Sequence, residues 1–162
     1  LICGRLKMEK INKIILLSLA LLTNVALADA EQEAWYYSKD KEHLVKEMTK
    51  GQHYAMLSNS KGGEISVYVF MNDETCKTSD STVVNHNPIY VNTKLVQYSQ
   101  YCDGSRRYFF PTTKVGRAYV VEEFVKKGQV ELKTHDGSAT FLFSAKKFKE
   151  AHKVLKELEQ AI

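Results

Sequence analysis

HYAMLS (53–58), NSKGG (59–63) and EISVYVFM (64–71) read in succession as strand, turn and strand. Asn59-Ser60-Lys61-Gly62-Gly63 is hairpin chemistry, small polar residues ending in glycines that accept the positive φ a tight reversal needs. In the second run Ile65, Val67 and Val69 share one face of a strand, and Tyr68 and Phe70 share the other. A strand that is apolar on both faces is expected to lie centrally in a sheet covered on both sides.

Downstream, the same reasoning yields more strands. Asn72 to Thr82 reads as a polar loop holding Cys76, and Val83-Val84, Asn85-His86-Asn87-Pro88 and Ile89-Tyr90-Val91 read as a tight hairpin. Leu95 to Cys102 and Arg106 to Phe110 flank the turn residues Asp103-Gly104-Ser105, with Pro111 stopping the ladder. Thr112 or Thr113 then caps a helix expected to reach about Lys127, burying Val115, Tyr119, Val120 and Phe124 and ending at Gly128; a strand over Ala118 to Val125 is the alternative. Val130 to Thr134 and Ala139 to Phe143 alternate around His135-Asp136-Gly137-Ser138, a further hairpin. Ser144 is expected to cap a terminal helix with Phe148, Ala151, Leu155, Leu158 and Ile162 on its buried stripe and Lys146, Lys147, Lys149, Lys153 and Lys156 on its outer side.

Upstream, EAWYYS (33–38) reads as a first strand with Trp35 and Tyr37 on one face and Tyr36 on the other. Lys41 to Lys50 carries Leu44, Val45 and Met48 at helical spacing and predicts a short helix ending at Gly51. The predicted class is α+β: a predominantly antiparallel sheet or sandwich with a C-terminal amphipathic helix packed on it.

Residues 8–28 read as a cleavable secretory signal. Lys10 and Lys13 precede the apolar run Ile14 to Leu22, which is too short to span a bilayer of about 30 Å, and Ala26 and Ala28 match the A-x-A cleavage pattern. Leu1 to Lys7 read as an upstream extension, so the expected division is 1–28 for extension and signal and 29–162 for one globular domain of 134 of the 162 residues. Removing 1–28 takes out Arg5, Lys7, Lys10 and Lys13 with Glu9, which lowers the formal charge by three from +4 to about +1. The basic balance therefore belongs largely to the export segment and argues for no nucleic-acid partner. Cys3 leaves with the extension, and Cys76 and Cys102 are expected to form a structural disulfide in an oxidising compartment, periplasmic or extracellular.

Reaction chemistry finds little footing. His43, His53, His86, His135 and His152 are scattered without metal-ligand spacing, so no metal site is predicted, and no nucleophile elbow or phosphate-cradling loop points to catalysis or a cofactor. Glu122 and Glu123, neighbours on a helix, point about 100° apart and cannot flank one bond. Arg106, Arg107, Tyr108, Lys114 and Arg117, interleaved with Tyr101, Phe109, Phe110 and Tyr119, form the candidate partner-binding cluster, since aromatic and arginine side chains anchor interfaces; aromatics filling the core behind a basic rim is the other reading.

Lys126-Lys127-Gly128, a strand hairpin, and FSAKKFKEA (143–151) opening the terminal helix together resemble the end of the invasion-associated locus B family of small periplasmic proteins. The resemblance covers about the last third of the chain and implies a periplasmic β-rich fold. The expectation is an exported, non-enzymatic binding protein of the bacterial envelope, an inhibitor or immunity protein whose partner is another envelope or secreted protein. The alternative is a structural or stress-related factor that contacts peptidoglycan or another anionic surface.

Overall fold

In the computed structural model, which describes residues 30–78 and 80–160, nine strands form one antiparallel sheet. The strands are β1 (Tyr36–Tyr37), β2 (His43–Lys46), β3 (His53–Asn59), β4 (Ile65–Asn72), β5 (Val84–Val91), β6 (Lys94–Asp103), β7 (Arg106–Pro111), β8 (Gln129–Thr134) and β9 (Thr140–Ser144). Residues 30–33 are helical, a 3-10 helix, Glu74–Thr78, follows β4, and the longer α-helices are α1 (Lys114–Lys126) and α2 (Phe148–Gln160). The α+β, mainly antiparallel reading holds. The expected extension, signal segment and cleavage point, and Ile162, lie outside the described residues.

The order is β1-β2-β3-β4-β7-β6-β5-β8-β9. After β4 the connection 73–83 skips two strand positions to start β5, and the chain then returns through two hairpins until β7 pairs with β4. The Cys76–Cys102 disulfide, with a Cα–Cα distance of 5.2 Å, staples that connection to β6. The sheet curls into an open half-barrel whose ends meet: the Met48 N–H donates to the Leu142 carbonyl at 2.8 Å and the Trp35 N–H to the Lys146 carbonyl at 2.9 Å. Inside the curl, Val45, Ala55, Val67, Val69 and Val96 pack with Val120 and Phe124 of α1 and Phe148 and Ala151 of α2.

β4 is central, as its two apolar faces require. Val67 and Val69 join the helix-covered core, while Tyr68 and Phe70 join a second cluster on the opposite face. The hairpins β3–β4, β6–β7 and β8–β9 turn where the sequence places them, with Gly63, Gly104 and Gly137 at positive φ.

Several local expectations are corrected. Residues 41–50 contain a strand and a turn instead of a helix: Leu44 and Val45, adjacent and both buried, enter opposite clusters, which only a strand allows. The predicted hairpin at 85–88 is one continuous strand, β5, with a bulge between His86 and Ile89 that houses Pro88 at a point where its missing N–H costs no ladder bond. In 33–38 only Tyr36–Tyr37 is strand; the Trp35 ring enters the core while Tyr37 is exposed. Val115 of α1 is 75% exposed, because Gly116, at the close approach to Val96 and Pro111, takes the inward position beside it. α1 is capped by Thr113, whose hydroxyl accepts from the Gly116 N–H, but it ends at Lys127 in extended backbone and not through a left-handed Gly128. Ser144 is likewise the last residue of β9 and no helix cap; Lys147 at positive φ turns the chain into α2, whose Leu158 stays exposed.

Candidate functional site

The face of the sheet turned away from the helices carries a band of aromatic side chains in cross-strand register. Lys46 of β2 lies opposite Tyr54 of β3, Tyr54 opposite Phe70 of β4, Phe70 opposite Tyr108 of β7, and Tyr108 opposite Tyr101 of β6. The ring centroids step across at 5.3 Å, 5.3 Å and 5.0 Å, and the Lys46 ammonium stands 5.8 Å from the Tyr54 ring. A neighbouring row runs Tyr36, Leu44, Met56, Tyr68, with Phe110 5.6 Å from Tyr68. These rings bury one another, and the cluster contains no helix residue.

Charge sits over and around the band. The Arg106 guanidinium lies 4.8 Å from the Phe70 centroid, 3.4 Å from the Tyr108 hydroxyl, and 3.6 Å from Glu42 Oε2, an ion pair too long for a hydrogen bond. Beside it opens a cleft of about 590 Å³ floored by Tyr68, Tyr101 and Phe110 and bordered by Lys61, Asp103 and Arg117. Burial, followed by the neighbouring Tyr108 and Tyr68, pushes the Tyr101 phenol up to about 12. Burial and then Glu31 do the same for Tyr36. These hydroxyls are therefore neutral donors and acceptors at ordinary pH.

Of the residues singled out in the sequence, Arg106 and Tyr108 lie on this face, and Arg117 borders the cleft. Arg117 is held there by Glu64 (Nε to Oε2, 3.0 Å) and by the Thr112 carbonyl at 2.9 Å. Lys114 shares Glu64 at 3.2 Å. Arg107, one residue from Arg106, points to the other face, as strand alternation requires. Its Nε donates to Asp73 Oδ2 at 2.7 Å and its Nη2 to the Thr75 hydroxyl at 3.1 Å, clamping the connection that carries Cys76. The Thr75 hydroxyl first and Arg107 second hold the Asp73 carboxyl at about 2. Phe109 also faces inward, against His86, and Tyr119 lies under Lys94 with its hydroxyl donating to the Val91 carbonyl.

The sequence cluster is thus divided between the two faces, while the tertiary site gains Tyr36, Lys46, Tyr54, Tyr68 and Phe70. The visible signal for them was the matched alternation of Tyr68 and Phe70 with Tyr108 and Phe110; the register that aligns the pairs is not local. The face offers stacking area, phenolic hydrogen bonds and a cationic rim. Among the described residues no three His, Cys, Asp or Glu side chains converge to hold a metal ion, and no helix is long and apolar enough to cross a membrane. Comparison of the chain with protein-family models, with curated proteins and with solved structures finds no match.

Proposed function

We propose that the chain is an exported, non-enzymatic binding protein of the bacterial envelope whose tyrosine-rich sheet face receives a partner protein, as an inhibitor or immunity protein for an envelope-acting enzyme would. The observation that carries this reading is the four-ring ladder from Tyr54 to Tyr101 with Arg106 laid on Phe70. Tyrosine supplies large contact area with few rotatable bonds, and with arginine it is over-represented among the residues that dominate interface energies. The five-strand backing and the Cys76–Cys102 staple keep the face rigid, so little ordering entropy is lost on docking.

A second reading has its own observation. Lys146, Lys147, Lys149, Lys153 and Lys156 are all exposed on and before α2, which suits contact with peptidoglycan or another anionic envelope surface.

The test places a photocrosslinking residue at Lys61, beside the aromatic cleft, or at Lys149, on α2, in intact cells. One dominant protein adduct from position 61, lost in Arg106→Glu and kept in Lys156→Glu, supports the first reading. Adducts arising only from position 149, to sacculus or lipid, overturn it in favour of the second.

A further inference from the structure

On the opposite, inner side of the sheet lies a second cavity that the proposed binding face does not use. It has a volume of about 170 Å³, and its lining residues come from strands β3 to β9 and from neither α-helix. Val69, Met71, Ile89, Leu132 and the rings of Phe109 and Phe141 make its walls. His53, its ring 4.3 Å from Phe141, and His86, its ring 5.0 Å from Phe109, are among the lining residues. Among the described residues no lysine, arginine or carboxylate lines it.

Tyr98 gives this cavity its chemistry. It is 2% exposed, it lines the cavity, and among the described residues no group hydrogen-bonds its hydroxyl. Among the described residues the sealed side-chain oxygens without a hydrogen-bond partner are Glu42 Oε2 and Ser66 Oγ; Tyr98 is not among them, so its hydroxyl borders open space. Burial raises the phenol well above its ordinary range, which leaves it a neutral donor in an apolar chamber. A hydroxyl without a protein partner that faces open space can donate to an incoming oxygen. His86 Nδ1 lies 2.7 Å from the Asn87 carbonyl, which can only accept, so Nδ1 carries a proton directed at that carbonyl.

We infer that this cavity is a binding site for a small neutral molecule of single-ring size that carries one hydroxyl oxygen, its ring held by the apolar walls and its oxygen accepting from Tyr98. The size follows from the volume of about 170 Å³, since an apolar cavity of about 150 Å³ admits benzene. Neutrality follows from the lining, because a charged ligand would be desolvated with no lysine, arginine or carboxylate among the lining residues to pair with it. The oxygen follows from Tyr98.

The experiment titrates the purified full chain with phenol and, separately, with toluene, followed by two-dimensional NMR. The expected result is saturable shifts at cavity residues such as Ile89 and Leu132, with phenol bound about ten-fold more tightly than toluene, the difference one neutral hydrogen bond makes. Tyr98→Phe should keep toluene affinity and abolish the preference. Ile89→Trp, which fills the chamber from a half-buried position, should abolish both, with spectral dispersion reporting that it is folded. Absence of saturable shifts, a preference unchanged in Tyr98→Phe, phenol binding that persists in Ile89→Trp, or shifts confined to Tyr68, Tyr101 and Tyr108 would each overturn the assignment. The last outcome leaves the protein-docking face untouched, so the two sites stand or fall separately.

Discussion

Trp35 donates its indole N–H to the Ser144 carbonyl at 2.8 Å, joining residues 109 positions apart and latching the start of the sheet to the end of its last strand. The same ring meets Phe124 edge-on at 5.4 Å and Phe148 at 4.9 Å, so one side chain both closes the half-barrel and packs the two helices into it. Trp35→Phe keeps an aromatic ring but leaves the Ser144 carbonyl without its donor and the core under-filled. Unfolding by urea, followed by circular dichroism, is expected to show a loss of about 2–4 kcal/mol.

Glu47 is fully buried, and the turn after β2 folds around its carboxylate. Oε1 accepts from the Thr49 N–H at 2.7 Å and from the Thr49 hydroxyl, and Oε2 accepts from the Lys50 and Gly51 N–H groups at 2.8 and 2.9 Å. Burial pushes this carboxyl up, but the Thr49, Lys50 and Gly51 bonds outweigh it and leave it below the usual range. A depressed folded-state pKa contributes stability that is present above the unfolded value, about 4.3, and is lost as pH falls through the folded one. Wild-type stability should therefore drop on acidification below about pH 4. Glu47→Gln should cost about 1–3 kcal/mol at neutral pH and flatten that acid limb, as measured by urea midpoints across pH.

The disulfide and the Arg107–Asp73 pair restrain the same connection, because Cys102 and Arg107 are direct cross-strand partners while Cys76 and Asp73 lie on 73–83. Replacing both cysteines by serine is expected to cost about 3 kcal/mol in the chain-entropy account. Combined with Arg107→Ala, the loss should exceed the sum of the separate losses, since either restraint alone still holds the segment. A double-mutant cycle that adds within about 0.5 kcal/mol would refute the coupling.

Ser66 is completely buried on β4, with its hydroxyl meeting no hydrogen-bonding group among the described residues. Ser66→Ala removes an unsatisfied polar atom without changing the ladder. It is expected to leave stability unchanged or raise it by about 1 kcal/mol, read from the thermal midpoint. A clear fall would mean that the hydroxyl is bonded in solution.

Where the turn signal and the alternation agree, the fold was legible. Asn59 to Gly63 and Asp103 to Ser105 name their hairpins because glycine at positive φ and flanking two-residue periodicity are both local properties. A cap at Thr112 or Thr113 and the spacing of Val120 and Phe124 pointed to α1, and the structure chooses Thr113 and the helix over a strand at 118–125. β2 was not legible, because Leu44, Val45 and Met48 also fit a helical spacing. Its ladder bonds come from β1 and β3, and its end is set by the buried Glu47 carboxylate. At Asn87-Pro88 the local chemistry is that of a turn, but β6 and β8 pair on both sides of β5 and draw it into one strand with a bulge.

The candidate site divides along the same line. That Arg106 and Arg107 must face opposite ways is contained in the sequence, since consecutive strand residues alternate, and so is the pairing of Tyr68 with Phe70 and of Tyr108 with Phe110 on single faces. That Tyr54, Phe70, Tyr108 and Tyr101 form one continuous ladder depends on β7 returning across a skipped gap to pair with β4. Where turn signal and alternation agree, as at Asn59 to Gly63 and Asp103 to Ser105, strand and turn are set by interactions within a few residues, so the sequence by itself determined them. Register between strands far apart in the chain is set by which faces can be buried together, and only the tertiary structure decided that.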